Sequence, residues 1–124
     1  MANEISVRGY LTGTKNGVTV TGDTTKSITL AGSQLASGVQ EIGTATEQLS
    51  FPGDLTTEGI GYLYLKNLDA TNFIEVGLNT PLTQILVKLT AGQVAVFPPY
   101  SGNPTIYCKA DTAACDLQWV AVGT

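Results

Sequence analysis

Short runs of alternating apolar and polar residues recur roughly every ten residues along this chain. Each is cut off by Gly, Pro, Asn or Asp, and no stretch carries the periodicity of an amphipathic helix. Alternation of period two sends successive side chains to opposite faces, so each run covers a core with one face and needs neighbours to complete a sheet. About nine such runs with turn residues between them predict an all-β fold, a two-sheet antiparallel sandwich that is jelly-roll-like, over a βαβ arrangement. With 124 residues the chain is expected to form a single β-domain over 1–124.

The first thirty residues predict a local meander. Ile5–Leu11 alternates, Asn16-Gly17 is the preferred dipeptide of a type I′ hairpin turn, Val18–Thr21 follows, Gly22–Thr25 reads as a second turn, and Lys26–Leu30 as a third strand. A sharper reading makes 1–30 a partly extended N-terminal arm that reaches a neighbouring subunit. Ala31–Gly38 is small and polar and predicts a loop or one helical turn. Val39–Phe51 predicts one long strand, or two separated by a bulge at Gly43.

The most legible stretch is Gly59–Leu78, in which Tyr62–Lys66 and Phe73–Val76 flank the polar Asn67–Asn72. That composition predicts a β-hairpin. Further on, Gln84–Leu89 and Val94–Phe97, joined by Thr90–Gln93, are expected to pair antiparallel, and Pro98-Pro99 must end the second of them. Tyr100–Pro104 reads as a loop, and Thr105–Lys109 and Leu117–Val122 as the last strands. Alternation places Leu63, Leu65, Ile74, Val76, Ile85, Val87, Leu89, Val94, Val96, Ile106, Cys108, Leu117, Trp119 and Ala121 inward.

The chain contains no histidine, which removes the commonest general base and the commonest metal ligand. No Ser-His or Cys-His nucleophile can be built, and the expectation is that the protein is not an enzyme, with no catalytic residues, no metal and no cofactor. Carboxylate pairs such as Asp69/Glu75 or Glu41/Glu47 stay formally open for two-carboxylate hydrolysis, with poor specificity. Asn67–Asn72 offers alternating oxygens to calcium, but these residue types more often cap their own turn. Cys108 and Cys115 are expected to stay free thiols in a reducing compartment; a bridge would suit an assembly that leaves the cell.

Charged residues make up 13% of the chain, the net charge is −4, and the six cations are scattered singly. Direct nucleic-acid binding needs clustered Lys and Arg, so neither nucleic acid nor an anionic membrane is an expected partner. The start of the sequence lacks the charged and apolar regions of a secretory signal, which predicts synthesis in a cytoplasm. Tyr10, Tyr62, Tyr64, Tyr100, Tyr107 and Trp119 are the rings a carbohydrate-binding reading would use. Tyr62 and Tyr64 share one face and are candidate protein contacts, as is the rigid apolar loop Phe97-Pro98-Pro99-Tyr100.

Gly61–Gly77, Lys88–Gln93 and Tyr107–Ala113 resemble segments of small virion structural proteins of tailed bacteriophages, a likeness that spans roughly residues 59–124. The resemblance implies a compact β-domain built into a particle, by analogy with capsid decoration, or cement, proteins. Its implied partners are the major capsid protein and copies of itself, a trimer being the form that matches local three-fold positions, on the surface of a virion assembled in the host cytoplasm. Tail-fibre receptor- or carbohydrate-binding modules and tail or head-tail connector components are the alternatives. The likeness supplies scaffold positions and transfers no functional residues.

Overall fold

The computed structural model describes residues 5–29, 34–53, 55, 59–99 and 105–123. Ten strands run through them: β1 (Ile5–Lys15), β2 (Val18–Ile28), β3 (Leu35–Ile42), β4 (Glu47–Gln48), β5 (Ile60–Asn67), β6 (Ile74–Gly77), β7 (Ile85–Leu89), β8 (Val94–Phe97), β9 (Tyr107–Ala110) and β10 (Cys115–Gly123). The chain divides into two units, Met1–Ala31 and Gly32–Thr124. Among the described residues no helix is long and apolar enough to cross a membrane.

In the first unit β1 and β2 pair antiparallel along their whole length, from Ile5 opposite Ile28 to Lys15 opposite Val18. The predicted turn forms at Asn16-Gly17, with φ of 53° and 79°, the left-handed pair that a type I′ turn requires. The predicted turn at Gly22–Thr25 does not form. Gly22 lies opposite Leu11 within β2, and Asp23 accepts hydrogen bonds from Arg8 Nε and Nη2, both at 3.1 Å. Gly-Asp has turn composition, but here the aspartate is a cross-strand ion-pair partner and the chain stays extended. One long hairpin replaces the three-strand meander; Leu30 lies outside the described residues.

The other eight strands make two four-stranded antiparallel sheets, ordered β3-β10-β5-β8 and β4-β9-β6-β7. Their inward faces share one core containing Ile42, Leu63, Leu65, Ile74, Val76, Leu89, Cys108, Leu117, Trp119 and Ala121. The all-β antiparallel sandwich predicted from alternation is what forms. Only β6 and β7 are consecutive strands that pair with each other; every other connection in this unit passes from one sheet to the other.

Two predicted hairpins are therefore arches. Tyr62–Lys66 belongs to β5 and Phe73–Val76 to the start of β6, in different sheets, and β7 pairs with β6 while β8 pairs with β5. A hairpin turn and an arch use the same polar residues, so composition does not separate them. The partner does: β10, at the far end of the chain, supplies the ladder beside β5.

Leu35–Gly38, predicted as loop, is strand. Gly38 lies opposite Trp119 on β10, and its missing side chain makes room for the indole: a Cβ there would sit 3.0 Å from Trp119 Cζ2. Phe51 meets the same indole edge-on, with centroids 5.3 Å apart. The predicted break at Gly43 is present, since β3 ends at Ile42 and β4 continues in the other sheet.

Three inward assignments are corrected. Val94 and Val96 are 53% and 45% exposed, because Ala95 and Phe97 are the β8 residues aligned with inward-facing Leu65 and Leu63. Ile85 is 46% exposed: the β6–β7 ladder shifts register between Val76 and Gly77, leaving Leu86 as the extra residue and reversing the phase beyond it.

Candidate contact surface

The β5–β6 arch was the place where sequence suggested a metal. Its oxygens are engaged by its own backbone. Asp69 Oδ2 accepts from the N–H groups of Thr71 at 2.9 Å and Asn72 at 2.6 Å, and Asn67 Oδ1 accepts from Asp69 N at 2.9 Å. Those bonds, Asn72 first and then Thr71, hold the Asp69 carboxyl below the ordinary aspartate value of 3.8. A folded-state value below the unfolded one stabilises the arch above the unfolded value and is lost as pH falls through the folded one. Thermal melts are thus expected to drop as pH goes down from 3.8, and Asp69→Asn to flatten that drop; an identical acid slope in the variant would contradict the assignment.

Asn67 joins the arch to the rest of the sandwich. It is the buried polar residue of the core region, at 0% exposure. Its Nδ2 donates to the carbonyl oxygens of Asn72 at 2.8 Å and Leu89 at 2.9 Å, and its backbone exchanges bonds with Gln93 and Gly92 in the β7–β8 arch. One side chain thus ties the end of β5 to both arches that leave the sheet pair at this end.

Cys108 and Cys115 are free and buried. Burial, then the neighbouring Glu47 charge, pushes the Cys108 thiol up to about 12. Burial, then Asp69, Asp111 and Asp116, raises Cys115. Thiolates are the reactive form, so a thiol reagent is expected to modify neither cysteine in the folded protein and both after denaturation. Fast labelling of the native chain would contradict this.

The carboxylate pairs considered from sequence do not face one another. Glu41 lies on the outer face of β3, whereas Glu47 turns back to accept from Gln40 Nε2 and Gly43 N, each at 3.1 Å. Asp69 is engaged in the arch, and Glu75 sits in register between Lys88 and Lys109. Among the described residues no group of three or more acidic, cysteine or histidine side chains is placed to hold a metal.

What distinguishes the sandwich is the contrast between its two outer faces. The β4-β9-β6-β7 sheet presents the charged row Lys109–Glu75–Lys88, with Lys88 Nζ 4.0 Å above the Phe73 ring. The β3-β10-β5-β8 sheet presents apolar rows. Val120, Tyr64 and Val96 align across three strands, Leu35, Val122 and Tyr62 form the next row, and Val39 and Val94 lie beyond. Tyr62, Tyr64, Val120 and Val122 are half-buried, and Leu35, Val39, Val94 and Val96 exposed.

Tyr62 and Tyr64 thus lie together on the apolar outer face. Phe97 does not join them: it ends β8, faces inward opposite Leu63, and packs on the core. With Pro98, Pro99, Leu78, Leu86 and Ile106 it lines an apolar hollow of about 260 Å³. Tyr100 lies outside the described residues. Of the other rings, Trp119 is core, Tyr107 half-buried, and Tyr10 lies on the hairpin, 4.8 Å beneath the Arg8 guanidinium.

Sequence reasoning missed Leu35, Val39, Val94, Val96, Val120 and Val122 as surface residues. The signal was there: Trp119-Val-Ala-Val and Val94-Ala-Val-Phe are apolar on both faces, a pattern found in strands covered on both sides. No family model, curated protein or solved structure matches this chain.

Proposed function

We propose that this protein is a non-enzymatic structural component of a phage virion, a capsid decoration protein that binds the major capsid protein and copies of itself. The observation that carries the reading is the apolar outer face around Tyr62, Tyr64, Val120 and Val122. A sheet that covers a core with one face normally shows water a polar one, and contiguous apolar patches on a surface mark contact sites.

The resemblance of residues 59–124 to phage structural proteins supports the same reading. So does the strand order, in which the first strand of the sandwich lies beside the last: it is that of an eight-stranded jelly roll, an architecture viral capsid domains use. Half-buried tyrosines flanked by valines suit a protein partner better than a sugar, which needs free ring faces.

Imaging of intact particles tests the proposal. The expected result is density for this chain on the outer shell; its absence from the shell, with the protein found only in lysate, would overturn it. A glycan array with clear binding would favour the receptor-binding alternative.

A further inference from the structure

The β1–β2 hairpin has two unlike faces. On one, residues satisfy each other: Thr12 and Thr21 hydroxyls are 2.9 Å apart, those of Thr14 and Thr19 2.8 Å, and Arg8 pairs with Asp23. The register puts Leu11, Val18 and Val20 on the other, together with Gly9, Gly13 and Gly22. Leu11 is 77% exposed, Val18 and Val20 63% each. Space is open beside all three glycines, so this face is a set of aliphatic knobs with hollows between them. An isolated two-stranded hairpin is at best marginally stable in water, and this one leaves its apolar side bare.

We propose that the apolar face of the hairpin docks on the outer face of the β3-β10-β5-β8 sheet of a second copy of this chain. The inference rests on the self-association included in the proposed function and names the surfaces that perform it. Charge favours this occupant. Residues 5–28 carry Arg8, Lys15 and Lys26 against Asp23, whereas residues 32–124 carry eight carboxylates against three lysines.

The match is also local. Glu41 and Asp116 lie directly opposite each other on the outer face of the receiving sheet, a like-charge pair that destabilises unless a cation joins it. Among the described residues neither forms an ion pair. Lys15 is on the apolar side of the hairpin, four positions from Leu11. Glu41 is likewise four positions from Ser37, whose row contains Val120, Tyr64 and Val96. Both offsets span about 13 Å, so Lys15 on the two carboxylates sets Leu11 over the Val120–Tyr64 row, with hollows for the rings.

Area is adequate. The sheet face offers about 400 Å² and the hairpin face about 350 Å² from strand spacing and rise. A copy that gives one hairpin and receives one covers about 750 Å², close to the roughly 800 Å² per partner of a stable interface. Two unlike patches meet, which closes as a reciprocal pair or a ring.

Sedimentation velocity over a concentration series tests it. The wild-type chain is expected to associate, and Leu11→Glu with Val20→Glu to weaken association by at least about tenfold while Trp119 fluorescence stays native. Thr25→Glu, on the polar face, should leave association unchanged. Lys15→Glu should weaken it and the addition of Glu41→Lys should restore it, a rescue that misfolding cannot imitate. A wild-type monomer at every concentration overturns the docking, yet leaves decoration standing if that monomer still binds shells. Association unchanged by Leu11→Glu with Val20→Glu overturns the docking and leaves self-association intact.

Discussion

Asn67→Ala is expected to destabilise the sandwich by about 3 kcal/mol, a fall in melting temperature of roughly 10 °C. The substitution strands the buried carbonyls of Asn72 and Leu89, which lose donors at 2.8 and 2.9 Å, and frees the Asp69 N–H that Asn67 Oδ1 accepts. Orphaned groups, rather than the loss of bonds as such, set the size, since a buried polar group without a partner costs about 1–3 kcal/mol. Thr112→Val, which removes the exposed bond to Asn72 Oδ1, should cost under about 0.5 kcal/mol. Denaturation followed by Trp119 fluorescence reads both; equal effects would contradict the central place given to Asn67.

Gly77→Ala is the second large effect. Gly77 sits at the register shift that opens the link to β7, and Leu78 N donates to Gln84 O at 3.1 Å across that link. A Cβ on Gly77 would run into the Gln84 carbonyl oxygen and approach Leu82 Cδ1 to 2.6 Å. The leucine can rotate away, but a carbonyl held in a bond cannot, so the expected cost is about 2–3 kcal/mol. Gly13→Ala offers the contrast: nothing lies within 4 Å of its Cβ position, and the stability of the sandwich should not change. A Gly77→Ala protein that melts like wild type would show that the link accommodates the methyl by moving.

The elements were legible in the sequence because strand formation here is local: alternation marked β5, β7 and β10, and Asn16-Gly17 announced its turn. Pairing was not legible, because it is long-range. Nothing in Tyr62–Lys66 says that its neighbours are Leu117–Val122 and Val94–Phe97 rather than the strand that follows it. Face assignment failed on β8 for a related reason. Alternation points inward only when the outward residues are polar, and on β8 they are valines. That failure locates the candidate surface, because a strand with no polar face belongs to a sheet whose outer side is apolar as well. Tyr62 and Tyr64 could be paired from their spacing, whereas Val120, Val122 and Val96 join them only once three strands are aligned.

The reading as a shell component is tested most directly by copy number, measured by quantitative mass spectrometry of purified particles against the major capsid protein. The account predicts many copies per particle, in a fixed stoichiometric ratio to the shell subunit. A handful of copies would assign the chain to the tail, and none at all would contradict a structural role in the virion.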